Sequence, residues 1–253
     1  MALASHAARF MPPRIFVPLV AHQYRHFEPE LRRLAEFVPP DRAAVDVGVW
    51  WGPWTYMLAK RVPRVDSFEP NPDLVAALAL AMPSNVHLHG VALGEIAGEA
   101  GLWIPPGGMG TEGRATLEAD WRPATGGRMV TVQTETLDSF DLDDVGFIKI
   151  DVEGHEFAVL RGAGNLLESQ HPNLLIEIEY RSHDDDSLDE IVAFLAERGY
   201  AGHFLRRRVW RPLREFDRET ARDMAHRVAR HGYAANLLLY ARRFVHNFLF
   251  TIE

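Results

Sequence analysis

The chain has 253 residues, a hydrophobic fraction of 47%, 25% charged residues and a formal charge of −8, the make-up of a folded domain with a full core rather than of a disordered polymer. The negative balance, with Arg206-Arg207-Arg208, Arg211 and Arg214 as the basic patch, argues against a nucleic-acid binder, which needs many phosphate-neutralising cations on one face. With no cysteine, disulfides and thiolate metal sites are excluded, so any metal must be held by carboxylate, imidazole, carbonyl or water.

Residues 1–42 read as a helical cap, with an amphipathic stretch from Tyr24 to Val38 ahead of the first strand. Ala44-Val45-Asp46-Val47-Gly48 is a short apolar run, and Pro53 takes the first-turn position of a helix over Trp54 to Arg61, which makes a βα unit. A second unit follows, with a strand at Val65 to Phe68, a turn at Glu69-Pro70-Asn71-Pro72 and a helix at Asp73 to Met82 that stops before Pro83. Further strands are expected at Val86 to Leu93, Phe147 to Ile150 and Leu174 to Ile178, and a late one at Asn236 to Tyr240. Helices are expected at Glu156 to Leu167 and at Ser187 to Arg198, the latter ended by Gly199. Alternating strands and helices imply an α/β fold with a mostly parallel sheet covered on both faces. Residues 95–140 break the pattern: β-prone runs at Gly101 to Ile104 and Met129 to Thr134 flank a loose Pro105 to Gly127, an insertion or lid within a single domain spanning 1–253.

Apolar runs such as Ile15 to Val20 fall short of the roughly 18 residues of a membrane span. The start lacks a charged, apolar and small-residue secretion pattern. A cytoplasmic protein with no membrane span is expected, and nothing in the pattern decides between a monomer and a homo-oligomer.

Ligands of open α/β sheets bind outside the carboxyl ends of the strands. There Asp46-Val47-Gly48-Val49-Trp50-Trp51-Gly52 places two glycines after a strand, letting the backbone approach a cofactor. Glu69, closing the next strand, is positioned to accept hydrogen bonds from both ribose hydroxyls of a nucleoside. A dinucleotide needs a Gly-x-Gly-x-x-Gly phosphate cradle. Only Gly48 and Gly52 occur in this loop, which favours S-adenosylmethionine, a cofactor without phosphate. Trp50, Trp51 and Trp54 offer either aromatic faces to a cation or sugar, or core packing.

The run Phe147-Ile148-Lys149-Ile150-Asp151-Val152-Glu153-Gly154-His155-Glu156 ends an apolar strand on acids and an imidazole. In-line displacement of a methyl group from that cofactor by a protic acceptor requires a proton to leave as the acceptor attacks. His155 is the expected base and Asp151 the second candidate. Asp151, Glu177 and Glu179 are hard oxygen ligands at strand ends that suit Mg2+ or Mn2+. Glu156 is expected at a helix N-terminus, and Lys149 on the sheet face away from Asp151, in a packing or salt-bridge role.

The succession Asp46-Val47-Gly48 to Gly52, Phe68-Glu69-Pro70-Asn71-Pro72, Val91-Ala92-Leu93-Gly94, Thr136-Leu137-Asp138 and Ile148 to Glu156 resembles the FkbM-type methyltransferases, over roughly Ala43 to Glu179. The resemblance implies a Rossmann-like class I methyltransferase with a seven-stranded sheet. It would use S-adenosylmethionine to methylate a hydroxyl of a sugar, oligosaccharide or secondary metabolite, with Asp46, Gly48, Gly52, Glu69 and Ala92 at the cofactor. Val49-Trp50 stands where family members commonly carry Ala-Asn, so an aromatic replaces a small polar side chain near the methionine part. The alternative reading is a noncatalytic nucleotide- or glycan-binding protein on the same fold.

Overall fold

A computed structural model describes residues 11–106, 112–118, 126–178, 185–221 and 245–252. In chain order the elements are α1 (Pro13–Tyr24), a 3-10 turn (Pro29–Arg32), α2 (Leu34–Phe37), β1 (Ala43–Val47), α3 (Pro53–Leu58), β2 (Val65–Phe68), α4 (Pro72–Leu78) and β3 (Val86–His89). Then come β4 (Ala92–Leu93), β5 (Gly98–Ile104), β6 (Arg128–Glu135), β7 (Val145–Ile150), α5 (Glu156–Arg161), α6 (Gly164–Gln170), β8 (Asn173–Glu177), α7 (Asp185–Ala196), β9 (Tyr200–Arg206), β10 (Val209–Pro212) and β11 (Asn247–Ile252).

The main sheet has the order β10-β9-β11-β8-β7-β1-β2-β3. Strands β8, β7, β1, β2 and β3 run parallel, and β11 is antiparallel to both β8 and β9. Every residue of β1 and β7 is buried, as a central parallel strand covered on both faces requires, so these strands read as apolar runs interrupted only by Asp46 and by Lys149. Side-chain alternation sends Val45, Val47, Ile148, Ile150, Leu174 and Ile176 into the core beneath α5, α6 and α7. Ala44, Phe147, Leu175 and Leu249 point the other way, against Leu31, Leu34, Phe37 and Trp54.

Among the described residues the sheet has eight strands where seven were expected. The added edge strand, β10, folds back on β9 through Arg207 and Arg208, whose φ angles are 51° and 65°, the paired positive φ that a tight I′ hairpin turn requires. The arginine patch is thus the end of one strand and the turn of a hairpin. The run Val86 to Leu93 divides: Val86–His89 completes the main sheet, whereas Ala92–Leu93 joins a separate three-stranded sheet of order β4-β6-β5, with a small core of Ala92, Leu102, Ile104 and Val132.

Tyr24 to Val38 is not one helix, because Pro29 lacks the N–H and crowds the preceding turn; the long N-terminal helix lies upstream, with Pro13 at its first turn. Glu156 to Leu167 divides at Gly162-Ala163. A Cβ on Gly162 would lie 2.0 Å from the Gly94 carbonyl oxygen, so the break is where this chain segment passes close to the β4 loop. The strand expected at Asn236 to Tyr240 lies outside the described residues. Among the described residues, no helix is long and apolar enough to cross a membrane.

Candidate functional site

The carboxyl ends of β1, β2 and β7 meet at the glycine loop. Gly48 has φ of +85°, its N–H bonds the Phe68 carbonyl at 3.0 Å, and the Asp151 N–H bonds the Val47 carbonyl at 2.9 Å. A Cβ on Gly48 would lie 1.7 Å from the Asp151 carbonyl oxygen, so the loop and the end of β7 touch backbone to backbone. Gly48→Ala is expected to cost at least ~2 kcal/mol, combining overpacking with a side chain at positive φ. A urea midpoint equal to wild type would show that the two strand ends part freely.

Glu69 is buried beneath this loop, and both of its carboxylate oxygens are engaged. Oε2 accepts from the Trp50 N–H at 2.8 Å and Oε1 from the Asn71 N–H at 2.9 Å. Burial pushes its carboxyl up to about 7 even though these two hydrogen bonds favour the charged form. Asn71 continues the arrangement by capping α4, accepting from the Asp73 N–H at 3.1 Å.

Trp50 has φ of 51°, a left-handed conformation costing a bulky residue roughly 1–2 kcal/mol. It is held there by the bond to Glu69 and by Tyr24 with ring centroids 5.4 Å apart, and Gly113 passes close enough that an added Cβ would lie 3.2 Å from the indole. The Trp50 indole N–H is buried, with no hydrogen-bond partner among the described residues. The neighbouring tryptophans serve packing: Trp51 meets Phe16 edge-on at 5.0 Å, and Trp54 stacks on Phe147.

Asp46 lies deeper than the loop. It is fully buried, accepts from the Thr55 hydroxyl, and burial pushes its carboxyl up to about 7. Its side chain ties β1 to α3, and Ala92 packs in the core of the small sheet.

At the end of β7 lies Lys149, completely buried, with Nζ 3.6 Å from Asp151 Oδ2 and 4.0 Å from Glu177 Oε2. It is not turned away from Asp151, because residues two apart on a strand share a face. Burial alone would depress the ammonium, but Asp151, Glu177, Glu28 and Asp46 together raise its pKa. Glu28 arrives from the N-terminal segment and accepts from the Trp54 indole N–H at 2.6 Å. Burial, reinforced by repulsion from Asp151 and Glu30, lifts its carboxyl to about 8 against the pull of Lys149.

Glu28, Glu177 and His246 bring one donor atom each within 4.8 Å of one another. Of the acids expected as metal ligands, Glu177 belongs to this group, Asp151 sits with Lys149, and Glu179 lies outside the described residues. Glu28 and His246 escaped the sequence reading because neither stands at the end of a recognisable parallel strand.

The turn after β7 is strained, with φ of 49° at Glu153 and 103° at Gly154. His155 Nδ1 lies 2.6 Å from Glu118 Oε1, and a Cβ on Gly94 would sit 3.0 Å from the other ring nitrogen. Glu156, buried, accepts from the Gly154 N–H at 3.0 Å. Thr116 donates from its hydroxyl to the Glu153 carbonyl at 2.8 Å and accepts from the Glu118 N–H at 3.0 Å. Residues 112–118 therefore touch both ends of the site, Gly113 at Trp50 and Glu118 at His155. Glu118 was missed because it stands in a stretch without periodicity.

The description "Methyltransferase FkbM domain" belongs to the family whose pattern matches residues 41–201. No curated protein matched in sequence. Among solved structures, the methyltransferase FkbM from Methylobacillus flagellatus KT is 21% identical over 68% of this chain and 42% of its own, with a TM-score of 0.48; this chain thus spans about two fifths of its length. Streptococcus mutans SMU.1697c in complex with SAH is 11% identical over 90% of this chain and 97% of its own, with a TM-score of 0.46. M. jannaschii TYW2 in complex with AdoMet is 12% identical over 90% and 77%, with a TM-score of 0.43. The family match covers more than half of the chain and coincides with the parallel strands and the Gly48, Glu69 and His155 loops, and the protein belongs to the FkbM methyltransferase family, on a Rossmann-like class I methyltransferase fold.

Proposed function

We propose that the protein transfers a methyl group from S-adenosylmethionine to a hydroxyl of a sugar, oligosaccharide or secondary metabolite. The observation that carries the cofactor assignment is Glu69. Each of its oxygens already accepts one backbone N–H and keeps a second acceptor position for a ribose hydroxyl. The electrostatics support the same choice. Asp46, Glu69 and Asp151 crowd the glycine loop and its neighbouring strand end: Asp46 and Asp151 both raise the pKa of Glu69, and Asp151 that of Asp46. That field repels a pyrophosphate and favours a sulfonium cation. The buried indole N–H of Trp50 offers a further donor at the loop.

For the acceptor end, His155 is the base and Asp151 the lesser candidate, since Asp151 is held beside Lys149. Glu118 against Nδ1 fixes the imidazole with its other nitrogen as the proton acceptor. His155→Asn is expected to lower turnover by roughly 10²–10⁴-fold while leaving S-adenosylmethionine affinity within a factor of about two. Transfer of tritiated methyl groups to a panel of mono- and oligosaccharides measures the first, and calorimetry the second. The parent reading is tested by calorimetric titration of S-adenosylmethionine and S-adenosylhomocysteine into wild type. Saturable binding of both is expected; binding of neither sinks the cofactor assignment, and binding without transfer to any hydroxyl supports a noncatalytic binding protein instead.

A further inference from the structure

The structure gathers Glu28 from the N-terminal segment, Glu177 from the end of β8 and His246 just before β11, their donor atoms all within 4.8 Å of one another. Ligands 2.0–2.2 Å from an ion stand roughly 3–4.4 Å apart, so small side-chain adjustments would close the set around one cation. We propose that Glu28, Glu177 and His246 form a binding site for a divalent transition cation, Mn2+ or Zn2+ in preference to Mg2+.

Four observations carry this. Asn247 is 2% exposed, and among the described residues neither its side-chain oxygen nor its nitrogen has a hydrogen-bond partner. It stands directly across from Glu177 in the antiparallel β8–β11 pair, so the two side chains share a sheet face and the amide is directed beside the carboxylate. An amide carbonyl there is a fourth ligand, or a partner for a water on the ion. Charge is the second observation. Lys149 is drawn to Asp151 at 3.6 Å, and its 4.0 Å separation from Glu177 is beyond hydrogen-bonding range. Among the described residues, the carboxyls of Asp151, Glu177 and Glu28 all act on this one ammonium, an acidic setting that suits a cation.

The third observation is that the ligands are oriented from outside. Trp54 donates to one oxygen of Glu28, which aims the other, and the His246 carbonyl accepts the Ile178 N–H at 2.7 Å, which anchors the histidine beside β8. Such outer partners are how proteins fix metal ligands. Finally, Glu177 and His246 are only partly buried, which gives an ion a way in. The imidazole sets the preference, since a nitrogen ligand suits Zn2+ best, whereas Mg2+ takes an all-oxygen shell and Mn2+, a first-row transition cation that also takes carboxylates, stands between them. Three protein ligands leave coordination positions for an acceptor oxygen; that use of the site, but not the site itself, rests on the methyl-transfer reading above.

The test is calorimetric titration of the chelator-treated full chain with MnCl2, ZnCl2 and MgCl2, with S-adenosylhomocysteine binding scored separately in the same samples. One saturable site is expected, at least about tenfold tighter for Mn2+ and Zn2+ than for Mg2+, and weakened at least about tenfold by Glu177→Gln and by His246→Gln. Absence of saturable binding to wild type overturns the proposal, and so does unchanged affinity in both variants. Should the variants fail to fold, wild type decides: the electron spin echo of bound Mn2+ is expected to carry the modulation of an imidazole nitrogen, and its absence overturns the site. Binding of S-adenosylhomocysteine without metal binding sinks only the cation site, whereas metal binding without the nucleoside sinks only the cofactor reading.

Discussion

Replacing Glu69 by glutamine is expected to weaken S-adenosylmethionine binding by about 2–4 kcal/mol, roughly 30- to 1,000-fold. The carboxylate is the acceptor for two backbone donors, and the amide nitrogen of glutamine would meet one of these donors head-on. The ligand would lose a charge-assisted acceptor as well, since hydrogen bonds to charged groups contribute ~1.5–3 kcal/mol each. The same carboxyl makes binding depend on pH. In the free protein burial holds it at about 7, whereas ribose donors and a sulfonium favour the ionised form. Below pH 7 binding must expel a proton, so affinity is expected to rise from pH 5 to 7 and flatten near pH 8.

Stability should run the opposite way. The folded value lies above the ordinary 4.5, so folding takes up protons between pH 4.5 and 7; the stability they contribute is fully present below 4.5 and lost as pH rises through 7. Free protein is expected to melt lower at pH 8 than at pH 5.5, with S-adenosylmethionine narrowing the difference. Calorimetry in buffers of different ionisation enthalpy counts the protons released. No release at pH 6, or wild-type affinity in Glu69→Gln, would remove Glu69 from the cofactor site.

The parallel half of the fold was legible because its signals are local. Strands such as Val145–Ile150 are buried on both faces and so are apolar except for Lys149, and Pro53, Pro72 and Asn71 mark helix starts by their own backbone chemistry. The antiparallel edge was not legible. Strand β9 alternates Tyr200, Gly202 and Phe204 with Ala201, His203 and Leu205, giving no clear apolar face, and its partner β11 comes from 41 positions beyond the end of β9, at Asn247. The division of Val86 to Leu93 between two sheets depends on β6, a tertiary partner that no local pattern announces.

The candidate site divides along the same line. Gly48, Glu69, Asp151 and His155 stand in motifs beside the strands that position them. Glu28, Glu118 and His246 are brought in by segments whose own sequence is unremarkable, and only their meeting with Lys149, His155 or Glu177 gives them a role. Asp46 shows the converse: it belongs to the glycine motif, yet its side chain is spent on Thr55 inside the molecule.

Lys149→Met is expected to destabilise the protein by about 3–5 kcal/mol at pH 8, the cost of stranding buried charge when one partner of an ion pair is removed. Methionine matches the length of the lysine stem, whose Nζ lies 5.6 Å from the Trp54 ring centroid, so the packing there is largely kept and the loss is electrostatic. Asp151, Glu177, Glu28 and Asp46 would then face each other without the cation that raises their combined tolerance of charge. The carboxyls can escape by taking up protons, so urea midpoints of variant and wild type should converge as the pH falls toward 5. Adding Glu28→Gln should return about 1–2 kcal/mol in the double variant, because the two positions share one electrostatic cluster and cannot be additive. With the ammonium gone, the field at Glu28, Glu177 and His246 becomes more negative, so Mn2+ should bind Lys149→Met more tightly than wild type and recover part of the lost stability by mass action. Equal destabilisation at pH 5 and pH 8, with no response to Mn2+, would mean that Lys149 acts through packing and that the carboxylates around it do not form one charged centre.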